Sequence, residues 1–224
     1  MTITHHPAFE SLMSCSAGSM PEAFAAVMAS HISVCPACRK ELSLMEDIGV
    51  ELFSKLAPEA VVRDAPVAMM RRAEAGDEPR APAATLPEVG KDGVTAGGMP
   101  APLEHLAGSD LARVPWRRLA RGIEHFPIPL SPGAKGHLRL VKVAPGAVLP
   151  AHDHGGTELT LVLRGSYSDV TGHYKAGDVS DLSEGIEHSP IADAKEGCVC
   201  LIASDEKIRF KSVMARLWQP FTGL

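Results

Sequence analysis

The chain has 224 residues, 45% of them apolar and 22% charged, with a formal net charge of −5 and a mean hydropathy of +0.04. That composition is globular rather than disordered, and the acidic balance argues against a nucleic-acid binder held by phosphate contacts. No run approaches the ~18 consecutive apolar residues of a membrane span, and the opening residues lack a basic stretch followed by an apolar one, so a cytoplasmic protein with no membrane partner is expected. The five cysteines (Cys15, Cys35, Cys38, Cys198 and Cys200) are odd in number. In a chain without a signal they point to metal or redox chemistry rather than to disulfides.

In chain order, a short helix is expected over residues 8–16. Ser19-Met20-Pro21-Glu22 has the form of a capping box with Pro in the first turn, and Phe24, Val27, Met28 and His31 follow at helical spacing. A third helix should run from about Cys38 to Leu56, with Leu42, Met45, Ile48, Leu52 and Leu56 on one stripe, and a fourth over about 67–75. Residues 76–104 hold prolines at 79, 82, 87, 100 and 102 and no apolar period, and they are expected to form an interdomain linker. Beyond it the periodicity becomes that of strands, His137–Val143 and Leu159–Arg164 among them, with glycines punctuating at intervals that suit a sandwich or barrel. The expected architecture has two domains: an all-α half over 1–75 and an all-β half over 105–224.

Two groups of side chains carry chemistry. The first is His31-x3-Cys35-x2-Cys38. Residues four apart share a helix face, Pro36 suits a chain leaving one helix, and Cys38 begins the next. Zn²⁺ takes four N/S ligands, and His5, His6 and Cys15 are the candidates for the fourth. A thin helical core would gain folding energy from such a metal. The competing thioredoxin-like reading of a CxxC pair lacks its βαβ context.

Taken with His6, this pattern between helices resembles the zinc-binding anti-sigma domain that pairs with bacterial extracytoplasmic-function sigma factors, and in particular ChrR-type anti-sigma factors, which place it before a cupin. The resemblance covers about residues 1–75. It implies that His6, His31, Cys35 and Cys38 hold a structural Zn²⁺ and that this half binds a sigma factor.

The second group is Gly146-x5-His152-x-His154-x3-Glu158-x6-Gly165, which has the form of the first cupin motif. Residues two apart on a strand face the same way, so His152 and His154 can enter a barrel together, and Glu158 adds an oxygen ligand from the next strand. Gly177-x7-Gly185-x2-His188 fits the second motif and supplies a third imidazole. Ser183 stands where that motif has Pro, and Ala192 where it has Asn. The resemblance over 105–224 implies a double-stranded β-helix barrel. Its His152, His154, Glu158 and His188 would bind a divalent metal, Zn²⁺ or alternatively Fe, Mn or Ni, since the ligand set alone does not choose. Cys198 and Cys200 share one strand face: beside the metal if that face is interior, ordinary small residues otherwise. His105, His125, His137 and His173 have no partner spacing and read as surface or core histidines.

The expected function is an anti-sigma factor that inhibits a group IV sigma factor without contacting DNA. Six Lys/Arg against nine Asp/Glu over residues 1–75 suit a protein partner. In ChrR-type proteins the cupin answers singlet oxygen or oxidative stress, so a small molecule or oxidant is the expected signal. The alternative is a small metal-dependent cupin dioxygenase, for which residues 1–75 would have no use.

Overall fold

The computed structural model describes residues 2–58, 97–206 and 208–210. Three helices open it: α1 (Phe9–Ser16), α2 (Glu22–Val34) and α3 (Pro36–Ser54). The helix expected over 67–75 lies outside the described residues. After a 3-10 turn at Ala101–Leu103 and a four-residue helix α4 (Glu104–Ala107), ten strands follow. They are β1 (Arg117–Ala120), β2 (Ile123–Ile128), β3 (His137–Val143), β4 (His152–His154), β5 (Glu158–Ser168), β6 (His173–Lys175), β7 (Val179–Leu182), β8 (Ile191–Ala192), β9 (Cys198–Ser204) and β10 (Ile208–Phe210). Among the described residues no helix is long and apolar enough to cross a membrane.

All strand pairings are antiparallel, in the order β1-β2-β3-β9-β5-β6, with β7 and β8 also on β5 and a separate β4–β10 pair. The eleven-residue β5 organises the barrel: its first half pairs with β7 and β9, and its end pairs with β6 and β8. The change of partner falls at a bulge beside Gly165, where φ is +70° and an added Cβ would run into the Gly197 carbonyl. Only glycine meets both demands, which is why the first motif ends there.

Strand alternation sends two sets of side chains to opposite faces. Ile123, Val141, Val143, Tyr167, Cys198 and Cys200 pack inside the barrel. Leu138, Leu140, Leu159, Leu161 and Leu201 face the other way and join Leu12, Phe24, Val27 and Met28 of α1 and α2 in a single buried cluster. The helical half therefore completes its core on the outside of the sheet, which answers the thinness that its own residues predict. Met99 and Leu103, placed in the linker by their surrounding prolines, are fully buried in this same cluster. Pro100 and Pro102 frame a 3-10 turn and do not stop the apolar side chains beside them from packing.

The S-x-x-E sequence does not cap α2. Its N-cap is Pro21 with no side-chain bond, Ser19 Oγ donates to the Ser14 carbonyl, and the Glu22 carboxylate accepts the Ser131 N–H at 3.0 Å. Tertiary contact outweighs the local box here, because a barrel loop offers Glu22 a charge-assisted bond. Helix α1 likewise lacks a cap of its own, and Asp181 of β7 serves instead, accepting Ala8 N–H at 3.0 Å and Ser11 Oγ–H at 2.6 Å.

Candidate metal centres

Cys35 is both the last cap of α2 and the first of α3; its Sγ accepts the Cys38 N–H at 3.5 Å and Pro36 occupies the first helical position. That sharp joint brings the three close-spaced donors together, and the N-terminal strand-like segment delivers the fourth. One donor atom each from His6, His31, Cys35 and Cys38 falls within 4.8 Å of all the others. His31 Nε2 is 3.3 Å from Cys38 Sγ, and His6 Nδ1 is 3.5 Å from Cys35 Sγ and 3.3 Å from Cys38 Sγ. Tetrahedral zinc with N and S ligands has N···S edges of about 3.5 Å, so the polyhedron has the right size. Of the other candidates, His5 Nδ1 turns to Asp178 at 3.2 Å and Cys15 sits apart, half-buried near Glu46.

Electrostatics suit the same ion. Burial, then the neighbouring Cys35, pushes the Cys38 thiol up to about 12, and burial brings His31 down to about 4. Two thiolates and two neutral imidazoles around a dication sum to zero charge, which a closed, mostly buried site requires. His31 is oriented from outside its own half: a carbonyl can only accept, so Nδ1–H donates to Gly177 O at 3.0 Å, leaving Nε2 free to ligate. The next two residues grip the segment that carries His6. Asp178 Oδ1 accepts the Thr4 and His5 N–H groups at 2.7 and 3.1 Å, and Val179 N–H donates to the His5 carbonyl at 3.1 Å. Residues 177–179 of the barrel thus hold both histidine ligands. Sequence reasoning missed this, since a backbone carbonyl leaves no mark in a motif.

Inside the barrel, His152, Glu158 and His188 line one cavity of about 50 Å³. The two imidazole rings are 4.4 Å apart between centroids. His152 Nδ1–H donates to the Pro150 carbonyl and His188 Nδ1–H to Asp169 Oδ2, each at 2.8 Å, which orients both rings and makes Nε2 the ligand atom each would offer a metal. Asp169 was not anticipated. It anchors the turn before β6, accepting Thr171 and Gly172 N–H groups; although burial opposes its charge, His188 and Thr171 hold it at about 2. Burial pushes the Glu158 carboxyl up and His152 down to about 4, an arrangement that a cation would stabilise. The backbone of β4 places His154 two residues beyond His152. Cys198 and Cys200 take the interior alternative: both line this cavity with Sγ atoms 3.2 Å apart. The hydrogen bond with Cys198 and burial push Cys200 well up, so Cys200 is a thiol and a weak nucleophile.

Comparison with known proteins agrees with both halves. Residues 105–207 match the family described as the ChrR Cupin-like domain. The anti-sigma-E factor ChrR of Cereibacter sphaeroides is 34% identical over 221 residues, 99% of each chain. A crystal structure of Rhodobacter sphaeroides SigE in complex with the anti-sigma ChrR superposes with a TM-score of 0.75 at 31% identity, covering 91% of this chain and 100% of that one. A putative acetylacetone dioxygenase from Methylibium petroleiphilum gives a TM-score of 0.41 at 15% identity, over 46% of this chain and 79% of that one. Related along its whole length to a protein whose two parts correspond to its own, the chain belongs to the ChrR family of anti-sigma factors.

Proposed function

We propose that this protein binds and inhibits an extracytoplasmic-function sigma factor in the cytoplasm and releases it when its cupin half meets an oxidant such as singlet oxygen. It is a regulator, and the dioxygenase alternative yields to the end-to-end relationship with an anti-sigma factor. The observation that carries the partner surface is α3. Leu44, Ile48, Val50, Leu52, Phe53 and Leu56 are all exposed, Ile48 by 62% and Phe53 by 76%. The expected stripe divides: Leu42 and Met45 are half-buried, Met45 against the shared core, whereas Ile48, Leu52 and Leu56 further along are exposed. Among the described residues nothing covers this exposed part, and a row this apolar marks a protein-binding surface. The relative with SigE in its crystal structure supplies the class of partner.

Replacing Ile48 and Phe53 together by Glu should leave the protein folded, since both side chains are exposed, and weaken sigma binding by about 100-fold or more. Co-purification after co-expression measures this. An undiminished complex would remove α3 from the interface.

His6, His31, Cys35 and Cys38 would hold a structural Zn²⁺. His152, Glu158 and His188, with His154 by the cupin pattern, would hold a second divalent metal whose open positions meet the signal. The contact of residues 177–179 with the zinc-ligand segments supports a direct route from barrel to helices. A signal acts through it only by favouring a state with weaker sigma affinity. Substituting His152 by Ala should keep basal inhibition and blunt induction by singlet oxygen, read with a sigma-dependent reporter. Because burial and its partner hold Cys200 as a thiol, Cys198 and Cys200 replaced together by Ala should retain most of that induction. Full induction in a His152 variant shown to lack metal would take the cupin centre out of the response.

A further inference from the structure

The barrel holds a cation that neither metal centre uses. Arg139 on β3 is only 7% exposed, and its Nη1 is buried without a hydrogen-bond partner; the Nδ1 of His125 on β2 is in the same condition. Both residues line a cleft of about 300 Å³ between the β2–β3 hairpin and residues 130–136, with these two atoms buried beneath its surface. Register explains their proximity. His125 pairs with Val141 and Pro127 with Arg139, so the two are diagonal neighbours on one face, and Arg117 stands directly opposite His125 on β1.

Buried polar atoms almost always find partners, and a buried guanidinium needs a countercharge as well. The carboxylate acting on Arg139 is that of Glu158. In the cupin centre proposed above, that carboxylate belongs to the metal, which leaves Arg139 short of an anion. Burial, then the charges of Arg139 and Arg117, lowers His125, so its imidazole is neutral and can present Nδ1–H as a second donor. A planar fork and an adjacent N–H suit an oxyanion.

We propose that this cleft is a binding subsite for a small oxyanion, a carboxylate or phosphate group, received by Arg139 Nη1 and His125 Nδ1. None of His152, Glu158 and His188 lines this cleft, so such a ligand would bind without occupying the metal site. The subsite rests on the cupin centre only through the engagement of Glu158, so metal content is measured in every sample.

The test uses the full-length, metal-loaded protein, titrated calorimetrically with acetate and with inorganic phosphate at constant ionic strength in chloride. Saturable binding of at least one probe is expected, and the preferred probe tells a carboxylate ligand from a phosphoryl one. Arg139→Gln should weaken that binding about tenfold or more and His125→Leu severalfold, with metal content unchanged. If Arg139→Gln fails to fold, Arg139→Lys, which keeps the charge and loses the fork, takes its place. Failure of both probes to saturate the wild type would overturn the subsite, as would binding by the Arg139 and His125 variants as tight as that of the wild type. Loss of metal with sigma inhibition intact would count against the cupin centre instead.

Discussion

Replacing Cys38 by Ser is expected to release metal from the helical half and to abolish sigma binding. Its Sγ lies within 3.3 Å of both His31 Nε2 and His6 Nδ1, so it shares two edges of the polyhedron, and a hydroxyl at that position is a poor ligand for zinc. Structural zinc contributes on the order of 10 kcal/mol of apparent folding free energy, more than the typical whole stability of a small domain. The barrel's own interior core does not involve the site, so the helical signal in circular dichroism should fall while the β signal persists. Zinc stoichiometry by atomic absorption, together with co-purification of the sigma factor, decides the matter. A metal-free Cys38→Ser protein that still inhibits would show the ligand set to be wrong.

Asp178→Ala should be the most damaging change outside the ligands, at about 3–4 kcal/mol. The side chain is completely buried and accepts N–H groups from Thr4, His5 and Lys175, all of which lose their partner in the variant. Since those residues hold the segment that carries His6, zinc affinity should fall with stability. The pH dependence has a definite sign. Burial opposes the charge of Asp178, but its N–H donors outweigh burial and bring the carboxyl below its ordinary 3.8. A lowered acid stabilises fully above its ordinary value and loses that contribution as pH falls through the folded-state value. Denaturant melts should therefore be unaffected by this group between neutral pH and about pH 5, then fall more steeply below pH 4 in the wild type than in Asp178→Asn. Identical acid limbs would mean that the carboxylate is not held as described.

What the sequence announced and what it hid divide along the range of the interactions. The α2 face of Phe24, Val27, Met28 and His31 is buried as its spacing predicts, and β3 runs over His137–Val143 as expected. Spacing likewise anticipates the approach of His31, Cys35 and Cys38, because one helix joint sets it, whereas His152, Glu158 and His188 come from β4, β5 and the segment after β7 and are named by the cupin pattern rather than by local spacing. The Ser19–Glu22 box misleads, because the carboxylate it needs is taken by Ser131, 109 residues away. The apolar stripe on α3 is legible as a stripe, but a stripe does not say whether it meets the protein's own core or another protein. Met99 and Leu103 were hidden among prolines, and Asp169, Gly177 and Asp178 act through contacts that only folding creates.

The joint at Cys35 has a mechanical meaning. Helix α2 is cemented to the barrel, whereas α3, nineteen residues and about 28 Å long, packs on α1 as far as Met45 and then presents exposed apolar side chains from Ile48 on. Cys35 and Cys38 sit at the pivot of that rod, and Ile48 and Phe53, proposed above to meet the partner, sit towards its far end. Turning the rod by about 10° at Cys35 would sweep its tip through about 5 Å, the distance of a full helical turn. A displacement too small to disturb the coordination shell would thus be enough to put a bound partner out of register.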